Sequence, residues 1–500
     1  MQENRPAATK ALTIVEQAKV NDMKSKRVVI IGAGAAGVAA ATRLLESGFE
    51  NVLLLEAENR FGGRIHTIPF ADNVIDLGAQ WCHGEQGNAI YELTRGLDML
   101  HPSEEIEGGF KCIRSNKEVV DDAVVEKLRS IILNLEPTQQ DGLKDYEGSL
   151  GAYITDAFWR KLEALPDIDR VVAREFFENG KKKLSSMDGA DNLFEVSGKG
   201  QHEYLDCEGD LHLYWKGKGF GSFLRLLMKA NQDDPSDLGL LNEHIKYNAR
   251  VEHIDWQSSK GDIRLRLWNG ELILADHVIC TVSLGVLKDI HQKLFTPTLP
   301  LAKCRAIDGL SLGTVDKFFL EFKEPFAPLN WAGFSFLWQE EDLAELRNSG
   351  NYWLESVFNF QTVSNQPRLL QGWILGPHAR HMETLAEAEV LDALLWLFNK
   401  FLTFEVPTPV RFLRTRWYTN PNFRGSYSFR SVYTDELRTS SSDMATPILD
   451  ERDGKPLLQF AGEATHPHFY STAHGAMESG WREAQRLIAH YQEHHSHSQK

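Results

Sequence analysis

An α/β fold is predicted by three observations in this chain of 500 residues. Near the start, RVVIIGAGAAGVAAATRLLE reads as a strand, a glycine turn and a helix, with VLLLE as a second strand. Both strands are continuously apolar rather than alternating, which marks a parallel sheet buried on both faces. After a mixed middle region the chain returns to a strand, LLQFAGEA, and closes on a long helix. The length asks for two or three folding units, the first of them a Rossmann-like βαβ unit.

The elements follow in order. Residues 1–25 are polar without a clear period, and a flexible leader is expected there. In the glycine turn Gly32 permits the tight bend, Gly34 lets the backbone approach a pyrophosphate, and Gly37 lets helix and strand pack closely. Ala33 and Ala36 share that loop, and the helix N-terminus behind it offers unpaired N–H groups to phosphate. Glu56 ends the second strand, about twenty residues on, where an acid accepts ribose hydroxyls. Next comes Gly62-Gly63-Arg64, more N–H donors and a cation suited to binding phosphate oxygens bidentately. The middle holds an amphipathic helix over Asp122–Leu135. Strands are expected in ARVEHIDW, DIRLRLW, LILADHVICTV, KFFLEF, FSFLW and YWLESVFNF, and helices over Ala386–Phe401 and His474–Tyr491.

Bulk properties exclude several classes. A net charge of -16 speaks against nucleic acid as a partner, because a phosphate backbone needs a basic footprint, whereas it permits a cationic ligand. No uninterrupted apolar run reaches the length of a membrane span, so no membrane partner is expected. Five scattered cysteines (Cys82, Cys112, Cys207, Cys280, Cys304) without C-x-x-C spacing argue against a disulfide framework or a zinc site. The histidines His490, His494, His495 and His497 read as a solvated tail rather than a metal site. The start has no apolar signal core and HSHSQK is not a peroxisomal or retention tripeptide, so cytoplasmic residence is expected.

From Glu56 to Arg64 the sequence resembles the FAD-binding opening of the flavin monoamine and polyamine oxidase family, and further matches run in order to residue 486. The resemblance implies a two-domain flavin amine oxidase fold. Its FAD-binding domain would comprise 26–105, 211–290 and 446–492. An α+β substrate domain with a mixed sheet would comprise 106–210 and 291–445, leaving 493–500 as a tail. IDLGAQWCHG resembles the segment beneath the flavin, which implies Gly78, Ala79, Gln80 and Trp81 at the ring and His83 at the substrate tunnel, followed by Asn88 as in polyamine oxidases. Val251 matches the strand residue at the adenine, and Ser283 stands where the family has a proline.

Lys317 in LGTVDKFFLEF matches the family's lysine near flavin N5, and a lysine in an apolar strand is costly to bury without a task. Trp417 and Tyr427 match the Trp…Gly-Ser-Tyr-Ser block, one at the flavin and one near the tunnel. Gly462 and Glu463 would meet the ribityl or pyrophosphate portion. Tyr470 would face substrate, and Thr472 and Ala473 would open a helix towards the flavin pyrimidine.

No cysteine follows Cys304, which excludes the monoamine oxidases' covalent attachment and implies non-covalent FAD. The tower and extra helical domain of histone demethylases of this fold are not expected here. The match is closest to animal polyamine oxidases. It implies hydride transfer from a carbon next to a secondary amine of spermine or an N1-acetylated polyamine, with O2 converted to H2O2 and Lys317 and His83 handling protons. Glu85 is the first candidate for a distal ammonium, with Glu203, Glu208 and Asp210 behind it. The other class of function is a flavin-binding protein that acts through a protein partner without turnover. Oligomeric state and the preferred polyamine are not readable.

Overall fold

The structure is a computed structural model that describes residues 23–102, 109–135, 141–257, 261–325, 331–363 and 366–497, with side chains to residue 492. The leader expected over 1–25 therefore lies almost wholly outside the described residues, as do the side chains of His494, His495 and His497.

A six-stranded sheet organises the first unit, in the order Ile448–Leu449, Pro456–Phe460, His277–Cys280, Val28–Ile31, Val52–Leu55, Ile245–Lys246. All neighbours run parallel except the outermost pair, Ile448–Leu449 against Pro456–Phe460. Val28–Ile31 at its centre is buried at every position, as its unbroken apolar run requires. The helix Ala35–Glu46 covers one face and packs along the last helix, Ala473–His497. Gly37 makes the close approach possible, because a Cβ there would stand 1.8 Å from the Gly32 carbonyl oxygen.

The second unit is a mixed sheet of six strands, in the order Arg411–Arg414, Val315–Glu321, Gln366–Leu375, Val357–Val363, Gly333–Leu337, Phe110–Arg114. Its last pair is parallel and the others antiparallel. Strand periodicity divides Val315–Glu321: Phe318 and Leu320 join the core beneath the helix Glu387–Phe401, whereas Val315 and Lys317 take the opposite face. Three helices, Asp122–Leu133, Leu150–Leu162 and Arg170–Asp188, pack into a separate apolar cluster beside this sheet.

Two expectations change. The run YWLESVFNF is a 3₁₀ turn over Tyr352–Ser356 before the strand begins at Val357. Adjacent Trp353 and Leu354 both enter one core, which a strand cannot do because it sends neighbours to opposite faces. The boundary expected at 290/291 falls inside the helix Leu284–Leu294, and Leu299, Ala306, Ile307 and Leu310 pack with the parallel sheet. Ser283, in place of a proline, caps that helix: its hydroxyl accepts the Val286 N–H and donates to the Phe423 carbonyl at 2.5 Å. Among the described residues no helix is long and apolar enough to cross a membrane.

Candidate active site

The two units enclose a cavity of about 1210 Å³ that runs from the glycine turn to the face of the mixed sheet. At its first end lie Gly32, Gly34, Ala36, Glu56, Gly62, Gly63, Arg64 and Val251. The helix Ala35–Glu46 begins at Gly34 without a side-chain cap and without an acid in its first turn, so its free N–H groups and partial positive charge are left for an anion. A second helix N-terminus, at Thr472 and Ala473, enters the same cavity.

Glu56 is oriented by two backbone donors, the N–H of Ala33 at 2.7 Å and that of Glu58 at 2.8 Å. Burial raises its pKa, and those two hydrogen bonds pull the other way. Ala33 and Gly37 stand behind the cavity wall; one orients Glu56 and the other lets the helix close on the strand. Arg64 and Glu463 hold each other at 2.9 Å, and Arg64 also donates to the Ser426 carbonyl at 2.7 Å. The other Glu463 oxygen accepts the Ser428 hydroxyl and the Ser471 N–H, and Gly462 lies beside it on the wall. The uncapped start of the helix Ala35–Glu46, an oriented carboxylate and a cavity of this size fit a dinucleotide.

Lys317 occupies the middle of the cavity. Its ammonium donates to the carbonyl oxygens of Asp76 at 3.0 Å and Gly78 at 2.8 Å, and to Gln80 Oε1 at 2.8 Å. Burial brings its pKa down to about 7, with the Asp76 carboxylate opposing. Burial likewise lifts Asp76 to about 6, against the Thr67 hydroxyl, Lys317 and the Phe220 N–H. Trp417 lies over Gly78, where an added Cβ would come within 3.3 Å of its ring, and Ala79 continues the wall.

The far end is aromatic. Trp81 stacks on Trp373 with centroids 6.3 Å apart. His83 places Nδ1 2.7 Å from the Leu211 carbonyl, so Nδ1 carries the hydrogen and Nε2 keeps a lone pair. Burial lowers its pKa, opposed by the Leu211 bond and Asp206. Tyr427 donates to the Ser186 carbonyl and Tyr470 to that of Gly200 at 3.4 Å; both line the cavity, and burial raises both phenols.

The acids of this end are not those expected. Glu85 lies outside the wall, its carboxylate taking the Tyr91 hydroxyl. The chain turns away at Gly84, whose φ is 80°. Glu203 pairs with Arg430 at 2.6 Å, Asp210 holds the His212 N–H, and Glu208 pairs through its backbone with Gln86; none lines the cavity. The wall instead carries Asp188 and Asp206. Burial lifts Asp188 to about 6, against a hydrogen bond from Gln201 at 2.9 Å. Tyr204, His212, Tyr214, Asn359 and Trp373 also line this end and carry no local motif. Trp373 reaches the site through strand register, opposite Lys317, which neighbouring residues do not reveal.

A fold with this cavity defines a dinucleotide-binding protein. The chain belongs to the family described as flavin containing amine oxidoreductase, which matches residues 35–488. It is an amine-oxidising enzyme with FAD as its cofactor. It is 30% identical to a human protein named peroxisomal N(1)-acetyl-spermine/spermidine oxidase, over 93% of this chain and 95% of that one. It is 28% identical to a probable polyamine oxidase 5 of Arabidopsis thaliana, over 94% and 99%. A solved structure of a putrescine oxidase redesigned in cofactor binding superposes with a TM-score of 0.67 at 19% identity, covering 93% of this chain and 99% of that one.

Proposed function

We propose that this enzyme is a polyamine oxidase with non-covalently held FAD, acting on a secondary amine of spermine or an N1-acetylated polyamine. The observation that carries the reading is one cavity with a dinucleotide end, a buried lysine at its middle and an aromatic end bearing Asp188 and Asp206. A polyamine is a chain of cations joined by methylenes, and such a wall suits it: carboxylates for distal ammonium groups, ring faces for the methylenes. No cysteine lines the cavity among the described residues, in keeping with non-covalent binding.

Bound FAD supplies acceptance of a hydride from the carbon beside the amine nitrogen, with the electrons passing to O2 to give H2O2. Gly34, Ala36, Gly62, Gly63 and Ala473 would cradle the diphosphate and the ring carbonyls with N–H groups. Glu56 would hold the ribose, Val251 would pair with the adenine, and Trp417 would close one side of the ring. The reacting nitrogen must be neutral. His83 Nε2 would take its proton, and Lys317 Nζ would hold or release one near neutral pH. The imine that results hydrolyses to an aldehyde and a shorter amine. Cytoplasmic residence is part of this reading and is tested by fractionating cells that express the tagged protein.

Purified protein incubated with spermine, N1-acetylspermine, spermidine, a monoamine panel and amino acids decides the substrate class through peroxide release. Peroxide from the polyamines is the expected result. Peroxide from monoamines or amino acids alone would refute it.

A further inference from the structure

A small three-stranded sheet joins Trp81–Cys82 to Leu213–Trp215, and Leu213–Trp215 to Leu100–His101. Trp81 pairs with Tyr214 and Cys82 with Leu213, so one step further His83 stands opposite His212. Directly opposed residues, and residues two apart, share one face of a sheet. Trp81, His83, His212 and Tyr214 therefore form one group, and all four line the cavity. The two imidazoles meet edge to face with centroids 6.0 Å apart, and His212 stands edge-on to Trp81 at 5.7 Å. His83 Nδ1 is committed to the Leu211 carbonyl. Among the described residues no hydrogen bond reaches the ring nitrogens of His212, and Asp210 accepts its backbone N–H at 2.8 Å.

We infer that His212 is a second proton-handling residue of the amine end of the cavity, acting as a pair with His83. The inference rests on the amine oxidase reading of this site. An alkylamine arrives as an ammonium and must lose its N–H proton before hydride can leave. That N–H bond breaks, its electron pair stays on the amine nitrogen, and a new N–H forms at an imidazole lone pair. Two imidazoles at this spacing repel each other's charge, so the pair binds its protons in two separated steps. Between those steps one ring is charged and the other still accepts a proton. A lone histidine has no such reserve.

The groups facing the pair act in both directions. Asp206 favours the charged form of His83, and Asp210 that of His212. Lys183 disfavours charge on His212, and His474 is coupled to His83 as one more repelling imidazole. Burial is the largest influence and lowers both rings, and His83 lowers His212 further.

The test uses the FAD-loaded protein, isotope-labelled at histidine, as wild type, His212→Gln and His212→Phe. Wild-type His83 should share two linked titration steps with His212. In either variant it should titrate in one step, about one pH unit or more above the lower wild-type step. In anaerobic mixing with spermine, the acid limb of the flavin-reduction rate should move to higher pH by a similar amount. Phenylalanine keeps the packing on Trp81 and glutamine keeps polarity, so both variants should shift alike if the proton is what matters. A His83 titration unchanged in both variants overturns the pair, and so does a wild-type acid limb retained by His212→Phe. Failure of wild-type enzyme to be reduced by any polyamine defeats the substrate reading instead, while the histidine titration still decides the pair.

Discussion

The ammonium of Lys317 sits 2.8 Å from the carbonyl oxygen of Gly78, pinning a strand of the mixed sheet to the segment that walls the flavin end of the cavity. With Asp76 and Gln80 the acceptors number three, matching the three hydrogens of a charged ammonium. The residue is thus both a proton holder in the reading above and a tie between the two units.

Replacement of Lys317 by Met should leave flavin bound and lower turnover about tenfold or more. Removing the tie also leaves the carbonyls of Asp76 and Gly78 without their donor, so the flavin absorbance should change shape. Stopped-flow reduction and the visible spectrum check both effects. Unaltered turnover would take Lys317 out of the chemistry.

Glu56→Ala removes the acceptor of two backbone N–H groups, at Ala33 and Glu58, as well as the carboxylate expected at the ribose. Unsatisfied buried donors cost about 1–3 kcal/mol each. Lower thermal stability and a lower flavin-to-protein absorbance ratio are the expected outcome, while full flavin occupancy would contradict the cradle.

Asp188→Asn should raise KM for spermine about tenfold, equivalent to about 1.4 kcal/mol, and leave kcat nearly unchanged. Glu85→Gln, on a carboxylate outside the cavity, should leave both constants at wild-type values. Steady-state kinetics separate the two. Asp188 also predicts a pH effect in the free protein. Its pKa is raised in the fold to about 6, so the folded state binds its proton more tightly than the unfolded chain. The stabilisation is complete below about pH 4 and is lost as pH rises through about 6. Denaturant titrations at a series of pH values should show that slope, and Asp188→Asn should flatten it.

The cap at Ser283 makes a separate prediction. Ser283→Ala should cost about 1 kcal/mol through loss of the helix cap and of the bond to Phe423. Ser283→Pro suits the backbone, whose φ is -60°, yet lacks the hydroxyl, so its stability should also fall below wild type. Chemical denaturation measures both.

Much of the dinucleotide end was legible because its chemistry is local. Gly32, Gly34, Gly37, Glu56, Gly62 and Gly63 follow one another within a single βαβ unit, where spacing alone implies geometry. Lys317 was legible because a charge interrupts an apolar strand. The acids of the amine end were not. Glu85 is next but one to His83 in sequence, but the positive φ of Gly84 breaks the strand and carries Glu85 out of the wall. Asp188 reaches the cavity only because the helix Arg170–Asp188 packs beside the mixed sheet, a tertiary fact with no trace in neighbouring residues. His212 was hidden for the same reason, since its partner lies on another strand more than a hundred positions away.

The parallel sheet carries a consequence for how the chain is made. Val28–Ile31 is synthesised early, but one of its two neighbours is His277–Cys280, and the next strand outward is Pro456–Phe460. The helix that covers Ala35–Glu46 begins only at Ala473. On the ribosome the nucleotide cradle therefore waits, half-built and with apolar strand edges bare, until almost the whole polypeptide has emerged. Such long-range closure is slow and exposes the nascent protein to aggregation, so supply of the vitamin-derived cofactor and of chaperones during translation should govern yield more than any single contact in the finished enzyme.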